Sequence, residues 1–222
     1  MGPAALAACD SVLGIGPPAP VDASVADTSA ADSADASTCP CSQCCADSGL
    51  LADPSFQCQT SQSLSPPWTF DIGPGADAAD DAGISAGVDI NLSSDAGPLA
   101  YCGTNDAWIF CYYPCPSGVP LSIRQPVQLK PHTSYTLSAE LFFPYPQDVQ
   151  LDGFLGAVDP STGSMLEQAS FSSSPTYQLI TTTFETADSG NVIVYAGFTP
   201  SVPAEISLRM DAFSLVEKTA SP

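Results

Sequence analysis

The chain has 222 residues, of which 24 are acidic and 4 are basic, so the formal net charge is −20. No Lys or Arg precedes Arg124, so the N-terminal half has nothing to neutralise phosphates, which argues against nucleic acid and anionic membranes as partners. No run approaches the roughly 20 apolar residues of a membrane span, so the sequence does not indicate an integral membrane protein.

The N-terminal residues lack the patterns of a folded domain. Residues 1–16 are rich in Ala and Leu and are interpreted as a degenerate signal or leader, because they have no basic start and carry Asp10 in the apolar part. Residues 17–38 are dominated by Ala, Ser, Asp, Pro and Thr, without aromatic or basic residues. Such a segment buries too little apolar surface to offset its ordering entropy, which predicts a disordered linker.

The cysteines indicate an oxidising compartment. If Cys9 belongs to a removed leader, an even set of eight remains, which is typical of a secreted, disulfide-linked chain. The Cys-rich segment, residues 39–49, contains one CxxC spacing, between Cys41 and Cys44, so zinc binding and redox chemistry are alternatives to disulfides. No second CxxC or His pair follows, which favours disulfides with open pairing among Cys39, Cys41, Cys44, Cys45, Cys58, Cys102, Cys111 and Cys115.

The folded domain is expected to begin near residue 50. Trp68 and Phe70 are predicted core residues of an early strand, and residues 88–92 form a candidate short strand. The sequence Asn91-Leu92-Ser93 is an N-glycosylation acceptor pattern. The acidic run containing Asp77, Asp80 and Asp81 lacks the spacing of a calcium-binding EF-hand loop, which favours a solvated loop.

Residues 101–115 combine five aromatic residues with three cysteines. In a strand, alternation places Trp108, Phe110 and Tyr112 on one face and Ile109, Cys111 and Tyr113 on the other, and one of these faces must be core. Five aromatics in one segment exceed what a single core face takes up, so Trp108 and Tyr112 are predicted to be exposed. Disulfides of Cys102, Cys111 and Cys115, together with Cys58, would fix this segment to the domain.

Residues 121–143 contain two runs that alternate apolar and polar residues with a period of two, as half-buried antiparallel strands do. The sequence Pro131-His132-Thr133-Ser134 between them has the composition of a turn, so the two runs are predicted to form a hairpin. Pro126 interrupts the first run, which suits a strand edge, a bulge or a strand that changes sheet.

The remaining sequence predicts more strands. Residues 148–158 contain a strand with a Gly-marked bend, and Tyr145 lies in the loop before it, between two prolines. Residues 176–186, 191–198 and 205–216 are further strands. Their spacing, with Pro, Gly and Ser between them and without a helical stripe, predicts an all-β fold: an antiparallel β-sandwich of the jelly-roll type.

Three stretches carry a family resemblance. They are the pattern Ser-Ile-x-Gln-x-Val-x-Leu-x-Pro-x-Thr-x-Tyr-Thr-Leu from Ser122, the opening sequence of residues 50–56 with the later Pro-Trp-Thr-Phe at residues 67–70, and the closing run of residues 208–215. In order and spacing they resemble the CenC-type carbohydrate-binding modules, a group of galactose-binding-domain-like jelly rolls. The resemblance covers about residues 50–217.

The resemblance implies glycan binding by exposed aromatic side chains. Planar rings cover the flat CH faces of sugars while nearby amides and carboxylates bond the hydroxyls. The candidate carbohydrate-binding residues are Trp108, Tyr112, Tyr101, Asn105 and Tyr145, and the expected partner is a polysaccharide or other glycan. The family often also holds a structural calcium between its opening loop and its closing strand. Asp53 and Asp211 are the matching ligands here, although Gln57 replaces the usual Glu and weakens the site.

No catalytic pattern accompanies these features. Glycoside hydrolysis needs two carboxylates across a cleft, and the Glu and Asp residues of the domain fall in no recognisable arrangement. His132 is the single histidine, and no phosphate-binding loop is present. The sequence therefore predicts a secreted, non-catalytic module, located outside the cell or in a wall. The alternatives are a structural surface protein without ligand binding and a module associated with glycoside hydrolase activity.

Overall fold

The computed structural model describes residues 49–73, 86–92, 100–101, 103–112, 115, 117–145, 151–174, 176–201 and 205–219. The chain divides into two units, Met1–Ala34 and Asp35–Pro222, and all described residues belong to the second unit. The predicted leader and linker, and the Cys-rich segment except for Gly49, lie outside the described residues, as does the acidic run of Asp77, Asp80 and Asp81.

Ten strands lie in the described residues, and in most of them β-branched and aromatic residues alternate with polar ones. They are β1 Thr69–Ile72, β2 Ala86–Asn91, β3 Asp106–Cys111, β4 Leu121–Gln128, β5 Ser134–Tyr145, β6 Asp152–Asp159, β7 Ser164–Phe171, β8 Gln178–Glu185, β9 Asn191–Thr199 and β10 Ile206–Glu217.

The strands form two five-stranded antiparallel sheets that pack face to face. Sheet I has the order β1-β4-β9-β6-β7, and sheet II has the order β2-β3-β10-β5-β8. The inward side chains of both sheets build one core, to which sheet I contributes Ile123, Leu155 and Val194 and sheet II contributes Ile109, Leu137 and Leu208. The predicted all-β jelly-roll sandwich is confirmed. Within the described residues, no helix has the length and apolar content that a membrane span requires.

The prediction of a hairpin within residues 121–143 is wrong. Both runs are strands, but β4 pairs with β1 and β9 in sheet I, whereas β5 pairs with β10 and β8 in sheet II. The turn at Pro131 and His132 therefore carries the chain from one sheet to the other. Thr186 holds this crossing, because its hydroxyl donates to Lys130 O at 2.6 Å and accepts from the Thr133 amide at 3.0 Å. Alternation predicts a strand but does not indicate the sheet to which it belongs.

Other strand predictions hold, with one omission. The strands predicted from residues 88–92, 148–158, 176–186, 191–198 and 205–216 correspond to β2, β6, β8, β9 and β10. Tyr145, predicted in a loop, is instead the last residue of β5. Strand β7 went unpredicted, because its residues Met165 to Ala169 favour helices and do not alternate. It pairs only with β6, at the edge of sheet I.

The three stretches that carry the family resemblance meet at one end of the core. Phe56 of the opening segment, Trp68 and Phe213 of β10 form a buried aromatic cluster with ring centroids 4.8–6.0 Å apart. The Trp68 indole donates to the carbonyls of Ala52 and Asp53. The buried Gln125 side chain bonds both backbone groups of Ala52, at 2.8 and 2.9 Å. The opening segment is thereby fixed to both sheets.

Candidate functional site

A groove of about 360 Å³ lies on the outer face of sheet I. This volume is in the range of small-ligand sites in proteins. Its floor is formed by outward side chains of β4, β6, β7 and β9, and its rim by the connections at either end. The described lining residues are Pro120, Ser122, Arg124, Phe154, Val158, Gly163, Met165, Gln168, Tyr195 and Thr199.

Strand register places three of these lining residues and Gly156 in a line across the sheet. Arg124 lies opposite Tyr195, Tyr195 opposite Gly156, and Gly156 opposite Gln168. A β-carbon at Gly156 would lie 2.6 Å from the Tyr195 hydroxyl oxygen, so only glycine leaves room for this ring. The Tyr195 hydroxyl reaches past Gly156 and donates to Gln168 Oε1 at 2.9 Å. The ring is therefore held down along the floor of the groove.

A second line across the sheet repeats this arrangement with the order reversed. Ser122 lies opposite Gly197, and Gly197 lies opposite Phe154. On β6 and on β9 an aromatic residue and a glycine thus occupy successive outward positions, and each aromatic residue lies opposite a glycine of the other strand. The rings of Phe154 and Tyr195 meet edge to face with centroids 5.8 Å apart, a preferred geometry for aromatic pairs. Together they give the groove a continuous apolar floor.

One wall of the groove carries the cation Arg124. Its guanidinium forms an ion pair with Asp71 of β1 at 2.6 Å, and its Nε donates to the Ser122 hydroxyl at 3.2 Å. Burial raises the pKa of Tyr195, and the nearby Arg124 charge opposes this only in part. The Tyr195 phenol therefore keeps its proton and acts as a hydrogen-bond donor at neutral pH.

A second depression, of about 330 Å³, lies further along the outer face of sheet I. It is lined around Pro126, Gln128, Asn191 and Ile193, without a charged side chain among its described residues. Pro126 lies opposite Ile193 in the register, beyond the end of the short edge strand β1. This is the edge position that the sequence offers as one explanation for a proline within a strand.

The aromatic residues predicted to bind glycan lie elsewhere, on the outer face of sheet II. The alternation is as expected: Ile109 and Cys111 are buried, while Trp108, Phe110 and Tyr112 share the outer face. Their rings form a row with centroids 5.3 and 5.0 Å apart. Tyr112 is exposed as predicted, at 39%, whereas Trp108 is less exposed than predicted because it is half-buried. The Trp108 indole N–H has no acceptor among the described residues. Their role in binding stays a prediction.

The other predicted ligand residues do not join this row. Tyr101 is 45% exposed, and its ring packs against Tyr177 with centroids 5.6 Å apart. Asn105 is buried, and its side-chain amide donates to the carbonyls of Phe56 and Gln59, so it holds the opening segment. Tyr145 is placed by the backbone at the end of β5, and its side chain lies outside the described part of the structure.

A buried charge network lies on the same outer face of sheet II. The carboxylate of Asp106 accepts from Arg209 at 3.0 Å, from Tyr177 at 3.1 Å and from Asn91 at 2.9 Å. Burial raises the pKa of Asp106, and these three partners oppose the rise. The Asn91 nitrogen, to which an N-linked glycan would be attached, is thus already a donor to Asp106. A glycan attached at Asn91 would leave this nitrogen a single hydrogen, which the bond to Asp106 requires.

The predicted calcium ligands already have protein partners. Asp53 is buried, and its two carboxylate oxygens accept from the Cys58 amide at 2.9 Å and the Gln59 side chain at 2.7 Å. Asp211 is also buried and accepts from the Ala212 amide at 2.6 Å. No group of three or more His, Cys, Asp or Glu that could hold a metal occurs in the described ranges. Calcium therefore stays a prediction, and Asp53 stabilises the opening segment without it.

The disulfide prediction is confirmed for part of its set. Cys111, the last residue of β3, is bonded to Cys115, and Cys58 of the opening segment is also disulfide-bonded. Cys39, Cys41, Cys44, Cys45 and Cys102 lie outside the described residues.

No protein-family model matches the sequence, and no curated protein matches it. Solved structures do match the fold. The carbohydrate-binding module TmCBM61, in complex with β-1,4-galactotriose, is 14% identical with a TM-score of 0.53, and the match covers 76% of this chain and 98% of that one. The arabinose-bound α-L-arabinofuranosidase MgGH51 is 18% identical with a TM-score of 0.54, and the match covers 78% of this chain but 28% of the enzyme.

The N-terminal cellulose-binding domain of Cellulomonas fimi β-1,4-glucanase C also matches, at 14% identity over 73% of this chain and 95% of that one. Its TM-score of 0.43 is too low to carry an argument, so membership of the CenC-type family stays a prediction. At these identities the matches show a shared fold, and function must be argued from the groove.

The groove could not be predicted from the sequence. Its ring, cation and amide residues come from β4, β6, β7 and β9, which are far apart in the chain. In each strand the residue concerned is one of several ordinary outward positions. The only local signals are Gly156 and Gly197, which interrupt strand patterns at sites of close approach.

Proposed function

We propose that this β-sandwich binds a carbohydrate chain non-catalytically in the groove of sheet I. The observation that carries the proposal is the pair of rings, Phe154 and Tyr195, on the floor of a ligand-sized groove beside Arg124 and Gln168. Aromatic rings bury the apolar faces of sugars, and the guanidinium and amide groups can bond their oxygen atoms. The shared fold with a carbohydrate-binding module supports the same function.

The groove is organised before any ligand arrives. Gln168 fixes the Tyr195 hydroxyl at 2.9 Å, and Asp71 and Ser122 fix the Arg124 guanidinium at 2.6 and 3.2 Å. Groups held in this way lose little conformational freedom on binding, so more of the contact energy appears as affinity.

Binding without cleavage is the form of the proposal that the lining residues favour. Hydrolysis of a glycosidic bond requires two carboxyl groups on either side of that bond. None of the described residues that line the groove is Asp or Glu, and the adjacent Asp71 is engaged by Arg124. The disulfides of Cys58, Cys111 and Cys115 support the further proposal that the protein acts outside the cell.

The test is glycan binding by the full chain and three variants, using insoluble polysaccharides and isothermal titration calorimetry with soluble oligosaccharides. Tyr195→Ala and Phe154→Ala remove the floor of the groove, and each is expected to weaken binding at least about tenfold. Tyr112→Ala is the matched control, because it removes an exposed aromatic ring from the opposite face.

Two results would count against the proposal. If Tyr112→Ala abolishes binding while Tyr195→Ala does not, the aromatic row of sheet II is the site, as the sequence predicts. If the folded wild-type protein binds no glycan, a structural surface protein without ligand binding is the better interpretation.

A further inference from the structure

The composition of the groove departs sharply from that of the chain. The protein has 24 acidic and 4 basic residues, yet the described lining residues include no acidic side chain and one of the four basic ones, Arg124. Carboxylates are the usual acceptors for sugar hydroxyl hydrogens. The chain has many carboxylates, but none belongs to the described lining residues, so the groove has few of these hydrogen-bond acceptors.

The free hydrogen-bonding groups of the groove are mainly donors. The Oε1 atom of Gln168 accepts from Tyr195, which leaves the two Nε2 hydrogens without an acceptor among the described residues. The Arg124 guanidinium uses Nε for Ser122 and Nη2 for Asp71, and its Nη1 likewise has no acceptor among them. The Ser122 hydroxyl oxygen already accepts from Arg124. A ligand must therefore bring acceptors to Arg124 on the β4 side of the groove and to Gln168 on its β7 side.

A carbonyl oxygen fits such a donor better than a hydroxyl group does. Carbonyl oxygens only accept, whereas each sugar hydroxyl also carries a hydrogen that would meet other donors here. A carboxylate would also accept, but the Arg124 charge is already compensated by Asp71, and the chain has a net charge of −20. A neutral carbonyl avoids this repulsion. Met165, Val158 and Pro120 add apolar surface against which a methyl group can be buried.

These arguments rest on the proposed function and extend it. We propose that the groove selects neutral glycans that carry acetyl groups, with an acetyl carbonyl accepting from Gln168 Nε2 on the β7 side of the groove. Both N-acetyl and O-acetyl groups have this chemistry.

The experiment compares glycans with and without acetyl groups on the same type of backbone, by isothermal titration calorimetry on the full chain. Chitohexaose and cellohexaose share a β-1,4-linked glucose backbone and differ in the acetamido group, so this pair tests the N-acetyl group. Acetylated and alkali-treated glucomannan form the pair that tests the O-acetyl group. In at least one pair, the acetylated ligand is expected to bind about tenfold more tightly. Oligogalacturonate provides the carboxylate arm and is expected to bind more weakly than either acetylated ligand.

Gln168→Glu tests the role of the donor, because it replaces the Nε2 donor by an acceptor oxygen of the same shape and keeps an acceptor for Tyr195. In this variant the acetylated and unacetylated ligands are expected to bind with about equal affinity. Thr181→Glu is the matched control, since it adds the same charge at an exposed position on sheet II and should keep the preference.

The outcomes separate this inference from the proposed function. Equal or tighter binding of the unacetylated partner in both pairs, or tightest binding of oligogalacturonate, overturns the acetyl preference and leaves glycan binding intact. A preference that survives in Gln168→Glu also overturns the assigned contact. If none of the glycans binds to the folded protein, the inference fails together with the proposed function.

Discussion

The hydroxyl group of Tyr195 on β9 reaches past Gly156 on β6 to donate to Gln168 on β7. One hydrogen bond of 2.9 Å thereby joins three strands across the outer face of sheet I. The position of the aromatic floor thus depends on a residue that has no side chain. It follows that a single methyl group at position 156 should displace the Tyr195 ring while leaving the ion pair of Arg124 and Asp71 in place.

Gly156→Ala is expected to weaken glycan binding at least about fivefold and to destabilise the fold by about 1–3 kcal/mol. The new methyl group would lie 2.6 Å from the Tyr195 hydroxyl and 2.7 Å from the Glu167 carbonyl oxygen, so the ring must move and the β6–β7 pairing must adjust. Calorimetric titration and urea denaturation measure the two effects.

The same substitution in a Tyr195→Ala background is the control for this argument. Because the ring is then absent, Gly156→Ala should cost less stability than it does in the wild-type protein. Equal costs in both backgrounds would show that the clash with the strand backbone dominates and that Gly156 does not position the ring.

The buried ion pair on sheet II predicts a large loss of stability. Arg209→Met should destabilise the protein by about 3–5 kcal/mol, because it leaves the buried Asp106 carboxylate without its cation. Lys130→Met removes a cation from the exposed pair with Glu217 and should change the stability little. Urea denaturation of both variants at pH 7 checks the difference, and similar losses would contradict it.

Glu140 on the same face predicts a dependence of stability on pH. Burial raises the pKa of Glu140 in the folded protein above the ordinary value of 4.5, while a hydrogen bond from Tyr101 opposes the rise. The folded state therefore holds this proton more tightly than the unfolded state does. Its contribution to stability is full below pH 4.5 and is lost as the pH rises through the folded-state pKa.

Glu140→Gln should accordingly be more stable than the wild-type protein at pH 7, and the difference should disappear below pH 4.5. Tyr101→Phe should have the opposite effect, since it removes a donor to the charged carboxylate and so lowers stability more at pH 7 than at pH 4. Thermal unfolding at a series of pH values measures both. Curves that run parallel to the wild-type curve would refute the assignment.

The contact between Gln125 and Ala52 predicts that the opening segment depends on one side chain. Gln125→Met keeps the volume but leaves the Ala52 amide without its partner and the Ala52 carbonyl with the Trp68 indole alone, at an expected cost of about 1–3 kcal/mol. Hydrogen exchange at Ala52 should become faster in this variant. Gln128→Met, on an exposed position of the same strand, is the control and should leave that exchange unchanged.

Local sequence pattern was enough to predict the sandwich. Most strands carry β-branched or aromatic residues at alternate positions, which indicates both the strand and its buried face, as in β3 with the buried Ile109 between Trp108 and Phe110. Gln125 also stands out in the pattern that resembles the CenC-type modules, and the structure gives it a physical role. Strand β7 lacked this signal because it lies at an edge and buries only Phe171 fully.

The strand partners and the groove could not be predicted in the same way. Whether β4 and β5 pair or separate depends on strands β8 and β9, which are distant in sequence. The same holds for the floor of the groove, since Arg124 meets Tyr195 only once β4 and β9 are neighbours. The aromatic segment around Trp108 was more conspicuous because its rings are adjacent in the sequence.

The crossing between β4 and β5 also bears on how the chain folds. Of the eight strand pairs in the two sheets, only β2–β3 and β6–β7 join consecutive strands. The other pairs require closure of long loops before they gain any stability, which slows folding. During synthesis, β4 must wait for β9, and β3 and β5 must wait for β10. Sheet I cannot be completed until β9 has left the ribosome, and sheet II cannot be completed until β10 has done so.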